Sequence, residues 1–506
     1  MKWLILIVLT STILACSKTK PTSESSKETV TYSEQYRPQF HFSPAKNWTN
    51  DPNGLVYYEG EYHIFFQYNP YGTVWGHMSW GHAVSKDLLH WEQLPVALSE
   101  YQDRITGDST MIFSGTVVVD KNNSSGLCSG PECMVAIYTS HVHKNGEGIL
   151  QHQSLAYSND KGRTWISYDK NPVLSIDRKD FRDPKIFWDN DRMQWVMLAV
   201  IPDKFTVQFY KSTNLKEWSL MSEFSDPQNT STKIWECPDL YQMPVADEPG
   251  KMKWVLSLSR NGPAHSYSEM LGYIGEYDGT RFTASNAFAI DKGKDYYAGI
   301  TVNNMPKEDG RTVMIAWANN WAYGNLIPTA PWRGAMAFPR ELSLRNVQHG
   351  DTKKIQLFMN PIKELESLRG KELTNFDSID TRHFELEMIV NTAKMEAPVV
   401  GLLKAEGKNI VEYNVAEGKV FFNRTDIGVF SSNQDYATLD VQEVLPGKEI
   451  KFRILVDDSI VEIFVNDGEY TMCEQVFLKS GSAFSVPNKD GEGLTVKGWS
   501  LKSVWR

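Results

Sequence analysis

The sequence predicts an all-β protein: a five-bladed β-propeller followed by a C-terminal β-sandwich. Three observations carry this expectation. Past residue 37 there is almost no long helical periodicity, and short β-branched and aromatic runs alternate with turn residues. A phrase of turn plus apolar run recurs five times, at intervals of about 60 residues. Beyond about Leu365 the repeat stops, and strands with a single apolar face replace it.

A chain of 506 residues is too long for one compact domain. Hydrophobic residues at 41% and charged residues at 23% exclude wholesale disorder. The 52 Lys and Arg against 62 Asp and Glu form no strongly basic block, so nucleic acid is not an expected partner. Aromatic residues reach 12%, enough for β cores and for platforms under ligands with apolar faces, sugars included. Five cysteines do not make a disulfide scaffold.

The first element reads as an export segment. Met1-Lys2 precedes an apolar run from Trp3 to Leu9, and then comes Ser11-Thr12-Ile13-Leu14-Ala15-Cys16. The run falls short of the roughly 20 residues of a membrane span. Ile13-Leu14-Ala15-Cys16 resembles the lipobox of bacterial lipoproteins, which implies acylation of Cys16. Ordinary signal cleavage, with Cys16 incidental, is the competing reading. The expected division is a signal segment over 1–16 and a Ser/Thr/Lys/Glu-rich tether over 17–36. The lipid on Cys16 would be the only membrane attachment. The tether opens Ser17-Lys18-Thr19-Lys20. It lacks the acidic cluster that resembles a surface-export signal in Bacteroides-like lipoproteins. The expected place is therefore the bacterial cell envelope, on the periplasmic side rather than the cell surface. Cys128 and Cys133 are close enough to bridge there, and no His/Cys spacing reads as a zinc site.

The propeller is expected over 37–355. Its five phrases begin at Asp51, Ser114, Asp183, Glu236 and Tyr297, and each precedes an apolar run such as Tyr62-His63-Ile64-Phe65-Phe66 or Trp254-Val255-Leu256-Ser257-Leu258. A second phrase follows in three units, from Ser85, Ser158 and Ser212 to Trp91, Trp165 and Trp218. It reads as an outer hairpin turn leading into a strand that carries Trp. Pro361 to Arg369 reads as a short helical connector. The sandwich is expected over 365–506, from alternating runs such as Phe384–Val390 and from the hairpin turn Asn466-Asp467-Gly468.

In a propeller the starts of the inner strands converge on one funnel. Asp51, Asp183 and Glu236 would then meet from units one, three and four. Each acid alone has a plainer reading: a turn-forming Asp, a partner for Arg182, a surface charge. Their shared place in the repeat argues for a site, because crowded carboxylates disfavour each other's ionisation and so make a general acid. Paired carboxylates at a scissile bond are the equipment of glycoside hydrolysis. Amides of the Asn50-Asp51-Pro52-Asn53-Gly54 turn would hold Asp51 ionised. Trp235 and Cys237-Pro238 would give Glu236 a more apolar setting that favours its protonated form.

As a set these segments resemble glycoside hydrolase family 32, the β-fructosidases. Trp48-Thr49-Asn50-Asp51-Pro52-Asn53-Gly54 is similar to the family's first motif, with Thr49 where Met is commoner. Phe66-Gln67-Tyr68-Asn69-Pro70, Trp75-Gly76-His77, Phe113-Ser114-Gly115-Thr116, Phe181-Arg182-Asp183-Pro184, Trp235-Glu236-Cys237-Pro238-Asp239 and Pro331-Trp332-Arg333-Gly334 follow in family order. The resemblance implies a retaining mechanism with Asp51 as nucleophile, Glu236 as acid/base and Asp183 as transition-state stabiliser. It implies a fructose pocket completed by Asn50, Gln67, Trp75, Ser114 and Arg182. Trp48, Phe113 and Trp321 would supply apolar walls, and Tyr297 would reach the funnel. No cofactor or metal is implied. The substrate would be a fructan (levan or inulin), a fructo-oligosaccharide or sucrose, with release from chain ends expected. Endo action, fructosyl transfer and a non-catalytic fructan-binding lipoprotein are the alternatives.

Overall fold

The computed structural model describes residues 31–102, 107–230, 234–261, 268–395, 397–487 and 492–505. The signal segment, Cys16 and most of the 17–36 tether lie outside them. Five antiparallel sheets follow one another along the chain, each built outward from an inner strand. The inner strands are Asn47–Tyr58, Ser109–Val119, Arg182–Asp189, Ile234–Pro244 and Tyr297–Thr301. Each packs on the next, and the fifth packs on the first, so the sheets close as a five-bladed propeller.

Among the described residues no blade borrows an outer strand from another; contacts between the first and last blades make the closure. Trp332–Arg333 pairs in parallel with Asn47 and Trp48. At the other end of the axis the Asn303 N–H donates to the Leu55 carbonyl (2.8 Å) and its own carbonyl accepts from Tyr57 N–H (3.0 Å). The Asn303 amide also donates to the Val117 carbonyl of blade two at 2.9 Å.

The second repeated phrase is one structure used three times. Asp87 and Asn214 each accept backbone N–H bonds from the following turn, and Asp160 does the same from Thr164. The indoles of Trp91, Trp165 and Trp218 then donate to the carbonyls of Leu88, Gly162 and Leu215, three residues back. Each turn joins the two outer strands of its blade, as the phrase suggests. The outer strand of blade five runs Thr352–Pro361, past the expected propeller end at 355, because it pairs along its whole length with Arg340–His349. A 3₁₀ helix, Lys363–Leu368, then forms the connector and buries Leu365 and Leu368. Cys128 and Cys133 are joined in a disulfide.

The C-terminal part is a sandwich of a six-stranded and a five-stranded antiparallel sheet around one apolar core that includes Phe384, Val400, Phe422 and Ile454. Its hairpin turn docks on blade five. Gly468 (φ +85°) lies where a Cβ would come within 2.2 Å of the Met359 carbonyl, so only glycine fits.

Buried ion pairs join the two parts. Arg340 of the propeller, fully buried, reaches Asp291 and the sandwich residue Glu462, both at 2.7 Å. His41 bridges Asp457 (2.7 Å) and Glu462 (2.9 Å). Asp457 also accepts the N–H groups of Gln39, Phe40 and His41, which pins the propeller's N-terminal arm to the sandwich. Arg424 of the sandwich pairs with propeller Asp295 (2.8 Å), which also accepts from the Tyr323 hydroxyl (2.6 Å).

Burial alone would push His41 down, but its bonds to Asp457 and Glu462 outweigh burial and raise it to about 9 from 6.5. The folded state therefore holds this proton more tightly than the unfolded chain. Its contribution is complete below pH 6.5 and is lost as pH rises through about 9. The melting temperature is expected to fall across that window, and His41→Gln to flatten the fall. An equal fall in the variant, measured by calorimetry, would remove His41 as its cause.

Candidate active site

The strands alternate in direction, so the inner strands begin at the same end where the second strand of each blade turns into the third. The loops of 70–78, 145–146 and 318–339 therefore rim the mouth of the funnel. At this mouth every inner strand carries one extra residue against its neighbour. The bulges lie between Thr49 and Pro52, Ile112 and Gly115, Arg182 and Lys185, Glu236 and Asp239, and Tyr297 and Ile300. A bulge twists the strand and re-aims its side chains. At Asp183, Cys237 and Ala298 the backbone is left-handed (φ 58°, 47° and 54°), which non-glycine residues adopt at a cost.

The bulges correct the sequence alignment. Asp51, Ser114, Asp183, Glu236 and Tyr297 do not share one position. Arg182, Glu236 and Tyr297 each open their bulge, Asp183 and Cys237 stand second, and Asp51 and Ser114 stand third. An inserted residue breaks the two-residue period that a sequence alignment relies on. Residues at the same bulge position on adjacent blades bond to each other. Arg182 Nη2 and Nε donate to Glu236 Oε1 (2.9 and 3.1 Å), and the Tyr297 hydroxyl donates to Oε2 (2.6 Å). The Ser114 hydroxyl donates to Asp51 Oδ2 at 2.7 Å. The Cys237 N–H donates to Asp183 Oδ2 at 2.9 Å.

All three acids converge, as expected from the repeat. Asp51 and Asp183 both approach the Cys237 thiol, at 3.5 and 3.7 Å, and Glu236 is the preceding residue. Asp51 is positioned from one side by a relay: the Trp48 indole donates to Asn50 Oδ1 (2.7 Å) and the Asn50 amide donates to Asp51 Oδ1 (3.0 Å). Burial and the Glu236 charge push Asp51 up from its usual value, against bonds from Ser114, Asn50 and Cys237. Burial pushes Asp183 up to about 7; Arg182 opposes this, while Glu236 and Asp51 add to it. Tyr297 is raised as well, by burial and then by Glu236, so it stays a hydroxyl donor.

The apolar setting expected for Glu236 is not what surrounds it. Trp235 points away into the core between blades three and four, and the carboxylate faces Arg182 and Tyr297. Adjacent residues on a strand point to opposite faces, so sequence neighbours do not report a side chain's surroundings. Trp48 is likewise corrected: it is fully buried and anchors Asn50 rather than forming a wall. Trp321 is partly buried against Trp48 (6.1 Å) and Trp317 (4.9 Å). Phe113 meets Trp75 edge-on at 6.1 Å, and Trp75 is 40% exposed on the rim. The buried Gln67 donates to the Ile112 carbonyl, tying blade one to the bulge of blade two.

Several supports fall outside the motifs. Gln151 Oε1 accepts from Arg182 (3.3 Å) and from Phe181 N–H, and Asp180 takes the same guanidinium nitrogen of Arg182 at 3.1 Å. Thr139 accepts the Asp183 N–H. Gln151 and Thr139 lie on middle strands of blade two, and no repeat phrase marks them; only the Cys237 position lay inside a motif. The one group with metal-ligand spacing among the described residues is His383, Asp457 and Asp458, away from the funnel. Its oxygens are already engaged by the N-terminal arm, Arg382 and His383.

With this geometry the part-buried Glu236 carboxylate, held by Arg182 and Tyr297, and the buried Asp51 carboxylate, held by Asn50 and Ser114, share one pocket, an arrangement that can do acid/base and nucleophilic chemistry. Comparison with known proteins agrees. The description "Glycosyl hydrolases family 32 N-terminal domain" matches residues 41–361, and "Glycosyl hydrolases family 32 C terminal" matches residues 355–503. A levanase of Bacillus subtilis is 40% identical, covering 100% of this chain and 76% of its own length. An extracellular exo-inulinase of Aspergillus awamori is 37% identical over 94% of this chain and 96% of its own. The crystal structure of exo-inulinase from Aspergillus awamori superposes with a TM-score of 0.83 at 34% identity, covering 94% of this chain and all of that one. The propeller and the sandwich are each accounted for, and the chain belongs to glycoside hydrolase family 32.

Proposed function

We propose that this glycoside hydrolase is a retaining β-fructofuranosidase that removes terminal β-D-fructofuranosyl units from fructans. The single observation that supports this best is the Glu236 carboxyl, held between Arg182 and Tyr297 in the same pocket as an Asp51 held by Asn50 and Ser114. In the first step an Asp51 oxygen forms a bond to the anomeric carbon. The glycosidic bond breaks, and Glu236 gives its proton to the leaving oxygen. In the second step Glu236 takes a proton from water, the hydroxide oxygen bonds to the anomeric carbon, and Asp51 leaves as carboxylate. Asp183 binds sugar hydroxyls, and its hydrogen bonds tighten as charge develops at the ring. Ser114, Asn50, Gln67, Arg182, Tyr297, Trp75, Phe113 and Trp321 complete the pocket.

Exo action fits relatives that are themselves exo-inulinases. The propeller over 37–355, extended to Pro361 by its last strand, is the catalytic unit, and the sandwich over 365–506 braces it. The protein is exported, and the N-terminal segment supports a lipid anchor on Cys16 at the periplasmic side of the envelope.

Glu236→Ala is expected to cut turnover of inulin or levan by about 10³-fold while the protein stays folded by circular dichroism; near-parent turnover would sink the acid/base role. Product analysis by chromatography should give fructose alone, whereas an early ladder of oligomers would mean endo action. Asp183→Asn gives a two-part result. A carboxyl raised to about 7 in the fold, against 3.8 in the free chain, makes stability fall as pH rises through that interval. The Asn variant should lose activity by orders of magnitude yet gain melting temperature over the parent, with a larger gain at pH 7 than at pH 4. A gain that does not grow with pH would contradict the crowding of charge at Asp183.

A further inference from the structure

A second cavity, of about 500 Å³, opens at the end of the propeller axis opposite the acids, between blades two, three and five. The inner strands of blades two and three bring Val118, Val119, Ile186 and Trp188 to it, and Asn303 and Asn304 follow the inner strand of blade five. Trp188 stands five residues beyond Asp183 on one strand, about 15 Å away. It is partly exposed and meets Trp195 at 4.9 Å and 68°, so the two rings are not stacked face to face. Among the described residues the Trp188 indole N–H donates to no protein atom, and it is not sealed from solvent. Asn303 and Asn304 donate their amide nitrogens to the Val117 and Tyr57 carbonyls (2.9 and 2.8 Å). These bonds fix both side chains and leave their oxygens without a donor among the described residues. Lys121 and Lys307 are exposed on the cavity wall, and neither forms an ion pair among the described residues. The one carboxylate in the lining, Asp120, is buried and already accepts from Ser124 N–H, the Ser124 hydroxyl and Ser125 N–H.

The wall of residues 120–133 is held in shape. The Cys128–Cys133 disulfide closes its tip, Asn123 bonds both the N–H and the carbonyl of Cys128 (3.0 and 3.2 Å), and the Trp195 indole donates to the Ser124 hydroxyl at 2.9 Å. A preformed cavity has little ordering left to do on binding. Its lining offers a partly exposed ring, donors from an indole and two ammonium groups, and amide oxygens as acceptors, with no free carboxylate. A ring covers the C–H face of a sugar while donors and acceptors meet its hydroxyls. The cavity and the funnel lie at opposite ends of the axis, so a disaccharide in the funnel does not touch it. From these observations, and resting on the fructosidase reading above, we infer that the cavity is a non-catalytic saccharide site. It holds a distal stretch of fructan polymer on the enzyme while a chain end is trimmed in the funnel. Holding the polymer at a second point raises the local concentration of chain ends after each fructose is released.

The test compares polymeric levan and inulin with the shortest saccharide the enzyme cleaves, sucrose or a trisaccharide. Trp188→Ala is expected to raise KM for the polymer about fivefold, the loss of one ring contact. Its kcat on the polymer and both constants on the short saccharide should stay at the parent values. Lys121→Ala with Lys307→Ala, a double variant confined to exposed side chains, should raise polymer KM in the same way, and it decides the matter alone if Trp188→Ala does not fold. An unchanged polymer KM in either folded variant, or an equal rise on the short saccharide, would overturn the remote site and leave the fructosidase reading standing. A parent that cleaves the short saccharide but neither polymer would do the same. A parent that cleaves none of them would overturn the fructosidase reading, and the ligand assigned to this cavity with it.

Discussion

The molecule is organised around carboxylates held together where they repel. Burial and mutual charge push Asp51 and Asp183 up, and that cost is offset by neighbours at matching places on adjacent blades. The five bulges make this matching possible. Each inner strand takes up one extra residue at the same level, so side chains that alternation would send into the blades are turned toward the axis. Arg182, Glu236 and Tyr297 then form one hydrogen-bonded arc across blades three to five, and Asp51 with Ser114 forms a second across blades one and two. Glu236 and Asp51 are held by different partners, so the two acids have different environments within one pocket, the condition for dividing the labour of acid and nucleophile.

The sandwich acts on this arrangement from outside. The loop that carries Trp321 also carries Tyr323, whose hydroxyl bonds Asp295 and thereby meets Arg424 of the sandwich. The segment of residues 334–340 runs from Gly334, packed on the Thr49 carbonyl, to Arg340 in the buried ion cluster. Loss of one partner from such a cluster leaves an uncompensated buried charge. The interface therefore fixes the blade-five side of the funnel, and it makes the ring closure between blades one and five less dependent on the short Trp332–Arg333 pairing.

Much of this was legible in the sequence because it repeats. The turn-plus-Trp phrase at Trp91, Trp165 and Trp218 is visible as text and proved to be one hydrogen-bonded device. The three acids stood out for the same reason. What stayed hidden depends on register and on distance. The bulge positions separate Asp51 from Glu236 by two places, and no local pattern shows an inserted residue. Gln151 and Thr139 serve Arg182 and Asp183 from another blade. The polar setting of Glu236 comes from blades three and five, while its sequence neighbours Trp235 and Pro238 suggest the opposite. His41, Arg340 and Arg424 read as ordinary charges until the sandwich closes over them.

The central claim is that the Asp51 carboxylate bonds covalently to the fructosyl carbon before water arrives. Hydrolysis in the presence of methanol tests it most directly, since methanol competes with water for the fructosyl-enzyme and locks the configuration into a stable glycoside. Nuclear magnetic resonance of that product should show methyl β-D-fructofuranoside, the outcome of two displacements. A methyl α-fructofuranoside would mean a single displacement, with Asp51 serving as base for an intervening solvent molecule, and would contradict the account.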